Sequence, residues 1–249
     1  MKVSPLPSLS VKKAVLSLAA VFALAASAMA AGKEQIVYST GFEGPEFAAG
    51  QQIASDSSYG WYGSGDSAST IVKITDEAAH GGKQCLMMSD QNPSGTPTAG
   101  RNLPTTLVNA EISLAIKSAD AETTFRIEAR DAETVNFMVI HGWNDQLGGN
   151  GFYVRTQKGD KVVPADYIKG VLDSEISYDP TVWNLVSCKF DDKAKTFSLS
   201  INGKVVLAIK DESRVTWQIS RMNLATGWSA GASPSLVAYF DDLVVKTNR

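Results

Sequence analysis

The chain is read as all-β, an antiparallel sandwich or jelly roll, on three observations. Apolar residues recur with period two in roughly a dozen short runs separated by Gly, Pro, Ser, Asn and Asp. No stretch shows sustained helical periodicity with caps. The third is Val182 to Lys210, VWNLVSCKFDDKAKTFSLSINGKVVLAIK, which reads as a β-meander. There Val182, Val186, Cys188 and Phe190 alternate with polar residues while Trp183 and Leu185 make the opposite face apolar. Asp191, Asp192 and Lys193 end that run, and Phe197, Leu199 and Ile201 form the next. Asn202-Gly203 then supplies the two left-handed residues of a type I′ turn before Val205, Leu207 and Ile209 return.

The other elements follow in chain order. Ile36 to Glu43 is a strand stopped by Gly44-Pro45, and residues 44 to 68 read as a long loop holding Trp61 and Tyr62. Ser69 to Thr75 and Lys83 to Ser89 are strands on either side of the turn His80-Gly81-Gly82, and residues 90 to 100 are a polar loop. Val108 to Lys117, Thr123 to Arg130 and Val135 to His141 are successive strands. In the middle one Phe125, Ile127 and Ala129 share a face opposite Arg126, Glu128 and Arg130, so one face meets a core and the other meets solvent or ligand. A glycine-rich loop from Gly142 to Gly151 carries Trp143, and Phe152 to Thr156 resumes β structure. Thr216 to Ala225 and Leu236 to Lys246 bracket a loop with Trp228.

Residues 1–30 read as a secretory signal: Lys12 and Lys13 precede the apolar run Ala14 to Ala26, and Ala28-Met29-Ala30 presents small residues for cleavage after Ala30. The apolar run is short for a membrane span, and no cysteine at the cleavage site suggests a lipid anchor. A secreted or periplasmic protein is expected, with residues 31–249 as a single sandwich domain, since about 220 residues suit one large β fold. The net charge is −3, and loss of the leader removes Lys2, Lys12 and Lys13 but no acid. An acidic chain without a basic cluster is a poor partner for nucleic acid. Cys85 and Cys188 are the only cysteines. Export would permit a disulfide closing a loop of roughly 100 residues, with an entropic contribution of about 4.7 kcal/mol. The alternative is two separately buried thiols.

The order of these features resembles the concanavalin A-like (laminin G-like) jelly-roll superfamily, and more loosely its carbohydrate-binding modules. Gly41-Phe42-Glu43-Gly44 followed by Gly60-Trp61 carries the resemblance at the start, the meander with Trp183, Phe190-Asp191 and Leu199-Ser200-Ile201-Asn202-Gly203-Lys204 in the middle, and Tyr239-Phe240-Asp241-Asp242-Leu243-Val244-Val245 at the end. The resemblance implies an antiparallel jelly-roll sandwich whose first and last strands pair, bringing Glu43 to Asp241 and Asp242. It also implies a structural calcium there, because those carboxylates with backbone carbonyls supply hard oxygen ligands. The other reading of the pair is two acids that bond loop amides.

Glycan binding requires an aromatic platform beside amides or carboxylates, because a pyranose has apolar CH faces and a hydroxyl rim. Trp61, Tyr62, Trp143 and Trp228 are the candidates, all in predicted loops, whereas Trp183 and Trp217 are assigned to strands and the core. Arg126-Ile127-Glu128-Ala129-Arg130 and Val139-Ile140-His141 resemble the Arg-x-Glu-x-Arg and Gln-Ile-His strands of alginate-lyase-type polysaccharide lyases. That would make Arg126, Glu128, Arg130 and His141 a charge clamp and proton carrier. Val139 replaces the glutamine, and the Tyr-Lys-Gly-Tyr strand of that family is absent, leaving Tyr153 or Tyr239 to serve. The plain alternative is salt bridging among Arg126, Glu128 and Arg130. His80 and His141 have no zinc-like spacing, and neither a glucanase Glu-x-Asp-x-x-Glu strand, a Ser-His-Asp set nor a phosphate loop is recognisable. Three functions stay open: a non-catalytic glycan- or cell-surface-binding protein, a divergent polysaccharide lyase or glycosidase, and a structural or adhesive envelope protein that binds another protein.

Overall fold

A computed structural model describes residues 34–53, 60–64, 70–91, 96–121, 123–131, 134–144, 149–155, 167–170, 178–210, 218–227 and 236–248. The expected leader, Trp217 and Trp228 lie outside them. Among the described residues every regular element is a strand. In chain order these are β1 (Glu34–Thr40), β2 (Trp61–Ser64), β3 (Thr70–Thr75), β4 (Cys85–Asp90), β5 (Thr98–Leu107), β6 (Asn109–Ser118), β7 (Phe125–Asp131) and β8 (Thr134–Asn144). They continue with β9 (Gly149–Arg155), β10 (Tyr167–Lys169), β11 (Asn184–Asp191), β12 (Thr196–Ile201), β13 (Lys204–Lys210), β14 (Ile219–Thr226) and β15 (Leu236–Asn248).

The strands form two antiparallel sheets, and the protein is a jelly-roll β-sandwich. One sheet has the order β13-β12-β11-β6-β15-β4-β3, with β1 also paired to β15; the other runs β10-β9-β8-β7-β14-β5-β2. The inward faces share one apolar core, with Ile112, Leu114, Val186 and Phe240 from the first sheet and Phe125, Ile127, Val139 and Leu224 from the second. Residues 35–247 form one compact unit. The last two strands lie inside the sheets: β15 separates β6 from β4, and β14 separates β7 from β5.

The meander forms in the expected register, with Val186 opposite Ile201 and Phe190 opposite Phe197. Asn202 and Gly203 take φ values of 51° and 80°, as the turn requires. Its first residues depart from expectation. The strand starts at Asn184, so Val182 is exposed and Trp183 is a half-buried loop residue rather than core. Three strands fall where loops or no element were expected. Trp61–Ser64 is the edge strand β2, Tyr167–Lys169 is β10, and Thr98–Leu107 is β5. Pro104 conceals β5, but it sits where the pairing with β14 shifts register and where β2, which covers only residues 98–101, has ended. A proline there costs no ladder hydrogen bond.

The disulfide expectation is corrected. Cys85 on β4 and Cys188 on β11 are both buried and free. With β15 and β6 between their strands, they are separated by three strand spacings, about 14 Å, whereas a bridge needs Cα atoms within about 7 Å. Burial pushes the Cys85 thiol up to about 12, and it raises that of Cys188 as well.

Candidate functional site

Period-two alternation on β7 puts Phe125, Ile127 and Ala129 into the core and turns Arg126, Glu128 and Arg130 to the outer face of the seven-stranded sheet. Pairing extends this face in both directions. Glu128 lies opposite Asn223 of β14, which lies opposite Gly100 of β5, which lies opposite Tyr62 of β2. On the other side Arg126 faces Ile140 of β8, followed by Tyr153 of β9 and Lys169 of β10. Arg155 and Arg221 come from β9 and β14.

A hydrogen-bonded row crosses this face. The Tyr62 hydroxyl donates to Asn223 Oδ1 at 2.8 Å, and Asn223 Nδ2 donates to Glu128 Oε2 at 3.3 Å. Arg130 Nη1 also reaches that oxygen at 3.5 Å, and Arg126 Nε lies 3.8 Å from Glu128 Oε1. Burial raises the Tyr62 phenol and Arg221 pulls it back in part, so Tyr62 keeps its proton and donates. Gly100 makes the row possible, because a Cβ there would sit 2.3 Å from Tyr62 Cζ and 2.5 Å from Asn223 Oδ1. Cations lie over both aromatic ends, Arg221 5.9 Å from the Tyr62 ring centroid and Lys169 5.4 Å from that of Tyr153. Glu128, Asn223, Tyr153 and Arg155 are buried. Tyr62, Arg126, Arg130 and Arg221 are half-buried, and Lys169 is exposed.

His141 does not join this set, which corrects the proposed proton carrier. It pairs across strands with Phe125, so it points into the sandwich. It is 1% exposed, with ring centroids of Phe125, Phe152 and Tyr178 at 4.9, 4.7 and 5.1 Å. Nε2 bonds the Tyr178 hydroxyl at 2.7 Å, while Nδ1 is buried without a partner. Burial lowers its pKa to about 3 and raises that of the Tyr178 phenol. The remaining clamp residues, Arg126, Glu128 and Arg130, are salt-bridged to one another.

Of the four platform candidates, Trp61 is a core residue, 1% exposed and 5.7 Å from Phe42 between ring centroids. It therefore offers no face to a ligand. Tyr62, its neighbour of opposite parity, is on the charged face. Trp143 belongs to β8, but its side chain and all of Trp228 lie outside the described residues.

The three carboxylates expected to hold calcium do converge, since β1 pairs with β15. A Cβ on Gly41 would lie 3.5 Å from Asp242 Oδ1, 3.8 Å from Asp241 Oδ1 and 3.8 Å from Glu43 Cγ. A bulge after Asp241, with Asp242 at φ 47°, buries the Asp241 carboxylate and leaves that of Asp242 half-exposed. The oxygens close on the turn at 80–84. Asp241 Oδ2 accepts the His80 and Gly81 amides, Asp241 Oδ1 accepts the Asp242 amide, and Glu43 Oε1 accepts the Lys83 and Gln84 amides. Asp242 Oδ2 lies 2.6 Å from His80 Nδ1, and the edge of the His80 ring meets Trp183. Among the described residues no three His, Cys, Asp or Glu side chains form a metal-holding group. These contacts make the three carboxylates a hydrogen-bonded clasp between the start of the fold, the turn at 80–84 and the last strand. The melting temperature is accordingly expected to be the same in excess EDTA and in millimolar calcium. A calcium-dependent rise of several degrees would show instead that these oxygens coordinate a cation.

No family model matches the chain, and no curated protein matches it by sequence. Solved structures do match its fold. A sialidase has 12% identity and a TM-score of 0.55 over 76% of this chain, which spans only 17% of the sialidase's length. A carbohydrate esterase of a Shiga toxin-encoding bacteriophage, phi24B, has 12% identity and a TM-score of 0.55, covering 87% of this chain and all of the other. The cellulose-induced protein Cip1 has 13% identity and a TM-score of 0.56, covering 84% and 96%. At these identities the likeness is one of fold.

Proposed function

We propose that the chain binds a glycan on the outer face of its seven-stranded sheet and performs no chemistry on it. The observation that carries this reading is the hydrogen-bonded row Tyr62, Asn223 and Glu128 with Arg126 and Arg130 beside it. A phenol ring, an amide and fixed charges match the apolar faces and hydroxyl rim of a sugar. Likeness of fold to proteins described as a sialidase, a carbohydrate esterase and a cellulose-induced protein supports a carbohydrate ligand. The leader read in the sequence supports a place of action outside the cytoplasm. His141, the only histidine suggested for proton transfer, faces the core, and this favours binding over lyase chemistry.

Affinity electrophoresis through a panel of polysaccharides tests the reading. Retention is expected on at least one polymer, weakened about tenfold by Tyr62→Ala or Asn223→Ala. Lack of retention on every polymer, or retention that both variants leave unchanged, would overturn it. Release of unsaturated uronides absorbing in the near ultraviolet would overturn its non-catalytic part.

A further inference from the structure

We infer that the chain carries a second glycan-binding site, on the outer side of the sheet that contains β15, where Trp183, His80 and Asp242 receive one uncharged sugar ring. The site shares no residue with the Tyr62 row and lies on the opposite side of the sandwich. Phe240 is a core residue, so its neighbour Asp241, opposite Ala115 of β6, is turned outward. The turn at 80–84 lies over Asp241, held by the His80 and Gly81 amides. The register shift after Asp241 and the φ of 47° at Asp242 then redirect the second carboxylate to the side chain of His80. A left-handed backbone is uncommon outside glycine, and its effect here is to set an acid against an imidazole at the surface. Gly81 serves the same approach, because a Cβ there would lie 2.9 Å from both Asp242 carboxylate oxygens.

Asp242 orients His80. A carboxylate only accepts, so Oδ2 takes the hydrogen of Nδ1, and the neutral ring presents Nε2 as an acceptor. Nε2 has no hydrogen-bond partner among the described residues, and the His80 side chain is 44% exposed. Asp242 Oδ1, on a side chain 41% exposed, is a second acceptor. Trp183 stands beside this pair, its ring centroid 5.7 Å from that of His80 and its plane inclined at 64°, so the two rings form the walls of a corner. The indole is half-buried, and Val182 and Leu185 on either side of it in the chain are exposed. An apolar wall beside two fixed acceptors matches a sugar whose CH face packs on the indole while its hydroxyls donate to Nε2 and Oδ1. Asp241 and Glu43 are taken up by backbone amides, and Asp242 by the imidazole. That leaves no unshared carboxylate of the kind a cation would require, which favours an uncharged ring. With sites on both sides of the sandwich the chain is bivalent and holds two glycan strands at once.

Calorimetric titration of the full chain with cellohexaose, laminarihexaose, mannohexaose and a glucosamine hexamer tests the inference. At least one neutral hexasaccharide is expected to bind, weakened about tenfold by Trp183→Ala and severalfold by His80→Gln. Both variants are to be confirmed folded by their melting curves, and His80→Gln, at an exposed position, decides the matter where Trp183→Ala melts early. Tyr62→Ala is expected to leave the component lost in these two variants in place. Binding of the glucosamine hexamer alone would make the ligand a cation and overturn the uncharged sugar. Neutral binding that Trp183→Ala and His80→Gln leave unchanged while Tyr62→Ala removes it would overturn this site and leave the Tyr62 row standing. Neutral binding lost in the Trp183 and His80 variants, with polymer retention indifferent to Tyr62→Ala and Asn223→Ala, would leave this site standing and overturn the other. No binding of any hexasaccharide would overturn the inference outright.

Discussion

Between pH 7 and pH 4 the protein is expected to lose about 3 kcal/mol of stability through the single side chain of His141. Its folded pKa is held at about 3 by burial among Phe125, Phe152 and Tyr178. In the unfolded chain the imidazole titrates near 6.5. Below that value the unfolded state binds a proton that the folded state refuses. The contribution of the neutral histidine is complete above pH 6.5 and is lost as pH falls toward 3, at about 1.4 kcal/mol per unit. His141→Gln removes the titration and keeps a polar partner for Tyr178. Denaturant unfolding of both proteins from pH 7.5 to 4 checks this. The variant curve is expected to be flatter by that slope, even where its stability at neutral pH is lower. Parallel curves would place the histidine in contact with water and contradict the packing.

Loss of the Glu128 carboxylate is expected to cost about 3 kcal/mol, because it removes the anion shared by the two guanidinium groups that flank it on one strand. Glu128 is 6% exposed and receives Arg126, Arg130 and the Asn223 amide. The arginines retain part of their hydration, which keeps the cost at the lower end for a buried network. For a chain of this size Glu128→Ala then lowers the melting temperature by roughly 6–12 °C. Glu128→Gln preserves shape and an acceptor oxygen while deleting the charge, and separates the two contributions. If both variants melt within a degree or two of the parent, the pairing is a solvated surface contact and the row does not hold the face together.

The strands legible in the sequence are those whose alternation is uninterrupted. On β7 the residues Phe125 to Arg130 declare both faces, and the structure places them so. The turn at Asn202-Gly203 was readable because only a few residue types tolerate its backbone. β5 was concealed by Gly100 and Pro104, each placed by a tertiary circumstance, the Tyr62 ring for one and a register shift for the other. Parity also carried more information than residue type. Trp61 and Tyr62 look like equals in a loop, but adjacency on a strand sends one to the core and the other to the face. The same rule separates His141 from Arg126, since register with β7 is not written in the spacing of their motifs. Arg221 and Asn223 alternate with the buried Met222 and Leu224, so the same parity makes the outer face of β14 legible in its sequence.

The internal positions of β14 and β15 govern the order in which the molecule can form. Without β15, strands β1, β3 and β4 have no connection to the rest of their sheet, and without β14 the pair β2 and β5 is cut off from β7. Neither sheet can close until the last thirty or so residues are free to enter it. Until then the other described strands form four separate paired groups and the lone β1, and the sequence separations still to be bridged make folding slow. A polypeptide built this way becomes a complete sandwich only after its end is released.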